Sequence, residues 1–98
     1  MTESILAAKA RLPEHVVYRA FVKETVVLNL QTGKYHGVNP TGGRMIELLE
    51  RSDTVRKAAE KLAAEYQRPV EEIEADMSDF CHDLVERGLI ELSPDESR

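Results

Sequence analysis

With 98 residues, 42% of them hydrophobic and 32% charged, the chain is sized for one domain whose core buries about two-thirds of the unfolded surface. Its formal net charge of -5 argues against a nucleic-acid surface, because phosphate binding needs clustered Lys and Arg that release counterions. The longest apolar runs, Ile5 to Ala8 and Val26 to Leu28, fall far short of the roughly 20 residues of a membrane span, and the short acidic start is no secretory signal. One cysteine, Cys81, excludes an internal disulfide and a Cys-based zinc site. A cytoplasmic protein with no membrane partner is the default expectation.

Residues 1–13 carry no regular period, and Ala7-Ala8-Lys9-Ala10 fits either a helical turn or a frayed arm. His15 to Val22 alternates Val16, Tyr18, Ala20 and Val22 with Val17, Arg19 and Phe21, which predicts a first strand with both faces partly covered. Lys23-Glu24 is a tight polar turn. Thr25 to Leu30 alternates again, and Gln31-Thr32-Gly33 closes a hairpin onto a short third strand, Lys34 to Val38. Connections this short predict an antiparallel meander.

Asn39-Pro40 ends the sheet and starts the first of three predicted helices. Proline holds its predecessor extended, Asn offers a side-chain acceptor to free amides, and Pro fits the first helical position. Gly42 and Gly43 cost about 1 kcal/mol each against Ala in that first turn. They fit either backbone packed closely on the sheet or a weak helix start. Met45, Ile46, Leu48 and Leu49 supply the buried stripe. Ser52-Asp53-Thr54 caps a second helix in which Val55, Ala58, Ala59, Leu62, Ala63 and Tyr66 recur at helical spacing. After Gln67-Arg68-Pro69, a third helix opens with Glu71 and Glu72 at its positive end and buries Val70, Ile73, Met77, Phe80, Cys81, Leu84 and Val85; Gly88 stops it. Leu89 to Leu92 fits a short extended piece, and residues 93–98 a disordered tail. The expected class is α+β, a winged helix-turn-helix-like arrangement of a three-stranded antiparallel sheet followed by three helices.

No catalytic constellation is visible. His15, His36 and His82 lack any metal-ligand spacing, adjacent Cys81 and His82 point about 100° apart on a helix, and Gly42-Gly43 lacks the further glycines and Lys of a phosphate loop. The acids Glu71, Glu72, Glu74, Asp76, Asp79, Asp83 and Glu86 read most simply as a solvated face. The expectation is no enzyme, no metal and no cofactor. What remains is a binding surface: the Lys34 to Val38 edge lacks Pro and any charge beyond Lys34, so an extended peptide can add there as a strand. A short harmless edge with Tyr35 in the core fits the same residues.

The run LNLQTGKYHGVNPTGGRMIELL, with AAEKLAAEY, PVEEIEADMSDF and LVERGLIEL, resembles the PqqD-like family of leader-peptide recognition domains over residues 14–92. Within it, YHGVNPTGGRM and DFCHDLVERGLI are similar to the stand-alone recognition proteins of lasso-peptide pathways. The resemblance implies a domain over 14–92 flanked by the 1–13 arm and the 93–98 tail. It implies a leader peptide antiparallel to the third strand, beside the third helix. Carried over, the strand side is Lys34, Tyr35, His36, Gly37 and Val38; the helix side is drawn from Asp76, Met77, Phe80, Asp83, Leu84 and Arg87. Phe80 is the expected apolar pocket wall. Asp76, Asp79 and Asp83 either steer a basic leader or simply solubilise. The implied partners are a precursor leader peptide, a cysteine-protease-like leader peptidase and an ATP-dependent macrocyclase, the chain being a monomer when free. Proline at His36 is expected to remove binding by deleting a strand hydrogen bond. The alternatives are a chaperone for a radical-SAM enzyme, a winged-helix regulator, against which the acidic third helix speaks, and a structural subunit of a larger enzyme.

Overall fold

The computed structural model describes residues 2–94; the rest of the expected tail, residues 95–98, lies outside the described residues. Helix α1 (Thr2–Ala7) and strand β1 (Lys9–Arg11) precede β2 (Val16–Ala20), β3 (Thr25–Asn29) and β4 (Tyr35–Val38). Helices α2 (Pro40–Arg51), α3 (Val55–Tyr66) and α4 (Val70–Glu86) follow, then β5 (Glu91–Ser93). The expected meander and three helices are thus present, with β2-β3-β4 antiparallel in that order and β4 at an edge.

Period-two alternation sorts the sheet into two faces. Cross-strand partners Tyr18, Val27 and His36 share the face under the helices, where Val27 is fully buried. Val17, Leu28 and Tyr35 share the opposite face. The β3–β4 turn is shaped by Asn29, whose Oδ1 accepts from the Gln31 and Thr32 amides at 2.9 and 3.3 Å while Gly33 takes φ +75. This is an Asx turn.

At the sheet-to-helix junction Asn39 is extended and its Oδ1 accepts from the Gly42 amide at 2.7 Å, with Pro40 at the first helical position. The two glycines that follow resolve to the close-packing alternative. A Cβ on Gly43 would collide with Thr25 Oγ1 and stand 2.9 Å from Thr25 Cβ, and Thr25 is itself buried. A Cβ on Gly42 would stand 3.2 Å from Val38 Cβ and 3.4 Å from Phe80 Cε1. Backbone without side chains is therefore what lets α2 lie on β3 and β4. The cap of α3 is Thr54, whose Oγ1 accepts from the Lys57 amide at 3.1 Å. Its far end turns through Gln67 in the left-handed region, φ 54. The core joins Val27 to Ile46, Val55, Leu62, Met77, Cys81 and Leu89, and the fully buried Ala58 and Ala59 allow close helix packing.

The N-terminal residues are built into this core. Leu6 and Ala10 are buried, β1 pairs antiparallel with β5 (Lys9↔Ser93, Ala10↔Leu92, Arg11↔Glu91), and the Val55 amide donates to the Ala8 carbonyl at 2.8 Å. Lys9 Nζ donates to the carbonyls of Leu49, Glu50 and Ser52 at 3.2, 3.0 and 2.7 Å, satisfying the C-terminal end of α2. Burial, then neighbouring Arg11, lowers the Lys9 pKa, so this contact clamps geometry more than it gains charge energy. Tyr18, half-buried, donates its hydroxyl to Glu50 at 2.9 Å, and burial with that bond pushes its pKa up to about 12.

Gly43→Ala is expected to overpack the α2–β3 contact and cost about 1–3 kcal/mol. In urea unfolding the midpoint should fall at unchanged m-value; a wild-type midpoint would contradict the packing described.

Candidate functional site

Strand β4 has one satisfied edge and one open edge. The Asn29 amide donates to the Lys34 carbonyl at 2.9 Å, which makes 29–34 a hydrogen-bonded pair. Alternation along an antiparallel ladder then makes Val27–His36 and Thr25–Val38 bonded pairs and leaves Leu28–Tyr35 and Val26–Gly37 non-bonded. The amides and carbonyls of Tyr35 and Gly37 consequently point outward. Among the described residues no other strand pairs with that edge. The register also corrects one expectation: the His36 amide points inward, so proline there would break the protein's own ladder, and Gly37 is the position that probes the outer edge.

Alongside the open edge runs α4. Its positions 76, 80, 83 and 87 recur at helical spacing and face the strand, while Ile73, Met77 and Cys81 face the core. Two cavities lie between strand and helix. One, of about 430 Å³, is bounded by Gly37, Val38 and Asn39, by Thr41, Gly42 and Met45 of α2, and by Asp76 and Phe80. The other, of about 360 Å³, is bounded by Tyr35, His36, Gly37 and Val38 and by Asp83, Leu84, Arg87 and Leu89. Arg87 spans the second: its Nε donates to Asp83 Oδ2 at 3.1 Å, and its Nη1 stands 3.4 Å from His36 Nδ1.

The sequence-predicted residues are thereby placed unequally. Tyr35, His36, Gly37, Val38, Asp76, Phe80, Asp83, Leu84 and Arg87 line the cavities. Lys34 sits in the turn just before β4, and Met77 is fully buried, lining neither cavity. Tyr35 is 72% exposed with its ring on the outer sheet face opposite Leu28, so it is no core residue. Asn39, Thr41, Gly42, Met45 and Leu89 were not anticipated as lining; the Gly42-Gly43 pair was the available signal, since a glycine that admits close approach opens space beside it.

A second surface lies on the outer sheet face. Val17 and Phe21 are 45% and 58% exposed, and with Arg19, Val26 and Leu28 they bound a shallow apolar cavity of about 480 Å³. Apolar side chains grouped on a sheet face turned from the core are a candidate interaction surface.

Reactive chemistry has little to work with among the described residues. Cys81 is fully buried, and burial pushes its thiol pKa up to about 12, which leaves no thiolate near neutral pH. No group of three or more His, Cys, Asp or Glu side chains there could hold a metal ion, and no described helix is long and apolar enough to cross a membrane.

Comparison with known proteins places this geometry. The family model for coenzyme PQQ synthesis protein D (PqqD) matches residues 24–90. No curated protein matches the chain. Among solved structures, "TbiB1 in Complex with the TbiA(beta) Leader Peptide" is similar at 32% identity and TM-score 0.75, covering 83% of this chain and 94% of that one. "Lasso peptide synthetase B1 complexed with the leader peptide" shares the fold at 22% identity and TM-score 0.73, over 85% of this chain and 98% of that one. With an edge strand and flanking helix in this arrangement and a family match spanning most of its length, the chain belongs to the PqqD-like family of RiPP recognition elements.

Proposed function

We propose that this protein is a non-catalytic cytoplasmic adaptor of a lasso-peptide pathway. It binds the leader of a ribosomally made precursor by strand addition to β4 and presents it to a separate leader peptidase and macrocyclase. The observation that carries the reading is the outward row at Tyr35 and Gly37 lying beside two cavities on α4. A backbone edge supplies affinity without regard to sequence, and flanking cavities supply register. The 32%-identical TbiB1 was solved with a leader peptide, which supports the same role here.

An antiparallel leader places its amino-terminal half against Val38, Phe80 and Asp76 and its carboxy-terminal half against Tyr35 and Arg87. Alternate side chains enter the groove and the others join the outer face beside Tyr35. The Kd needed is modest: tethering raises the local substrate concentration, so a micromolar complex, about -8 kcal/mol, suffices. The outer face stays open while the leader occupies the groove, and its apolar centre with Arg19 offers the processing enzyme a surface that does not compete with the leader.

Two measurements test this. In titrations of labelled precursor leader, Gly37→Pro, which deletes an outward amide on an edge strand, should abolish binding, and Phe80→Ala, in a protein that still unfolds cooperatively, should weaken it about tenfold, or about 1.4 kcal/mol. Wild-type affinity in both variants would discard the site. Phe21→Ser should leave leader affinity intact yet slow cleavage of the precursor by the peptidase; cleavage at the wild-type rate would remove the outer face from the account.

A further inference from the structure

The groove presents an acid at one end and free donors at the other, and that polarity has a direction. At the Val38 end, exposed Asp76 lines the cavity together with Phe80; Arg68, which feels the Asp76 charge, is already hydrogen-bonded to Glu72. Among the described residues Asp76 is the one charged side chain bounding that cavity, so this end is negative. At the Tyr35 end, Arg87 is held by Asp83 through Nε and faces His36 through Nη1, and no further partner occupies its Nη2 among the described residues. An arginine N–H directed at Nδ1 favours the His36 tautomer protonated on Nε2, so the imidazole also offers a donor. Asp83 engages Nε alone, so Arg87 Nη2 and the His36 ring form a donor pair at this end of the groove.

We propose that the groove reads the order of charge in its peptide: a Lys or Arg first, an apolar residue two positions on, and an Asp or Glu two positions beyond that. This rests on the strand-addition reading above and names the peptide class that such a site takes. The spacing follows from geometry. Asp76 to Arg87 is eleven residues of helix, about 16 Å, which an extended peptide covers in about five residues at its own rise. Together the two cavities border strand residues Tyr35 to Val38, a span of three positions, with Gly37 and Val38 bordering both. Groove-facing side chains recur every second residue, so a separation of about four fits between those bounds. Antiparallel addition puts the amino-terminal side of the peptide at Val38, hence base before acid. The stem of a Lys or Arg lies along Phe80 while its head reaches Asp76, and the acid accepts from Arg87 Nη2 and the His36 ring.

The test is selection of a phage-displayed random 14-residue library on the wild-type protein and on the double variant Asp76→Lys/Arg87→Glu, both sites being exposed and outside the core. Only peptides that fail to bind Gly37→Pro are counted, which restricts the analysis to the β4 edge. On wild type these peptides should carry Lys or Arg four residues before Asp or Glu far more often than the reverse, and the double variant should invert the preference. A selected wild-type peptide should lose at least tenfold in affinity on the double variant and recover when its own two charges are exchanged; Arg87→Gln alone should abolish the preference at the acidic position only. Edge-dependent peptides with no charge order, or with one order on both proteins, would overturn the charge reading while leaving strand addition standing. A wild-type selection with no edge-dependent peptide would overturn strand addition and the charge order together.

Discussion

The architecture turns on how β4 distributes its hydrogen bonds. His36 and Val38 face their main-chain groups to β3, and Tyr35 and Gly37 face theirs away from the sheet. A backbone amide left without a partner must be met by water or by another chain, since its burial unpaired costs about as much as a lost hydrogen bond. Folded proteins commonly blunt such edges with charge, proline or a covering segment. Here the outward positions are one tyrosine and one glycine, with Lys34 lying outside the strand. Among the described residues the other edge, β2, is just as free of a neighbouring strand, and neither of the two α4 cavities borders it.

The groove exists because α2 sits unusually close to the sheet. Gly43 against Thr25 and Gly42 against Val38 bring the α2 backbone down, while the Asn39 cap and Pro40 fix where it starts. Helix α4 then buries Ile73, Met77, Cys81 and Leu84 in the core, which turns Asp76, Phe80, Asp83 and Arg87 toward the strand. The β1–β5 pairing and the Lys9 clamp close the opposite end, while Met45, Leu84 and Leu89 belong both to the core and to the cavity walls.

Much of this was written in the sequence because the long elements have clear periods. Alternation over His15 to Val22 and Thr25 to Leu30, one or two residues longer at their ends than the strands formed, the Asn39-Pro40 junction and the helical stripes through Leu62 and Met77 each carried their own signal. Helix α1 and strand β1 did not: six and three residues hold too little period, and β1 is a strand only because β5 lies against it from the far end of the chain. The Asx role of Asn29 and the left-handed Gln67 are local conformations that composition does not announce. On the candidate site, the strand edge was legible, the helix-side set of Asp76, Met77, Phe80, Asp83, Leu84 and Arg87 came from the family resemblance, and the division between the groove-facing Phe80 and the core-facing Met77, three residues apart, required the packing of α4. The α2 contribution from Thr41, Gly42 and Met45 was hidden because it depends on how deeply that helix is seated.

Amide hydrogen exchange, resolved residue by residue along β4, tests the central claim most directly. In the free protein the Tyr35 and Gly37 amides should exchange rapidly while His36 and Val38 are protected, and saturation with the precursor leader should protect Tyr35 and Gly37 without altering the other two. Protection of Tyr35 and Gly37 in the free protein, or their continued rapid exchange in the leader-saturated state, would contradict the account.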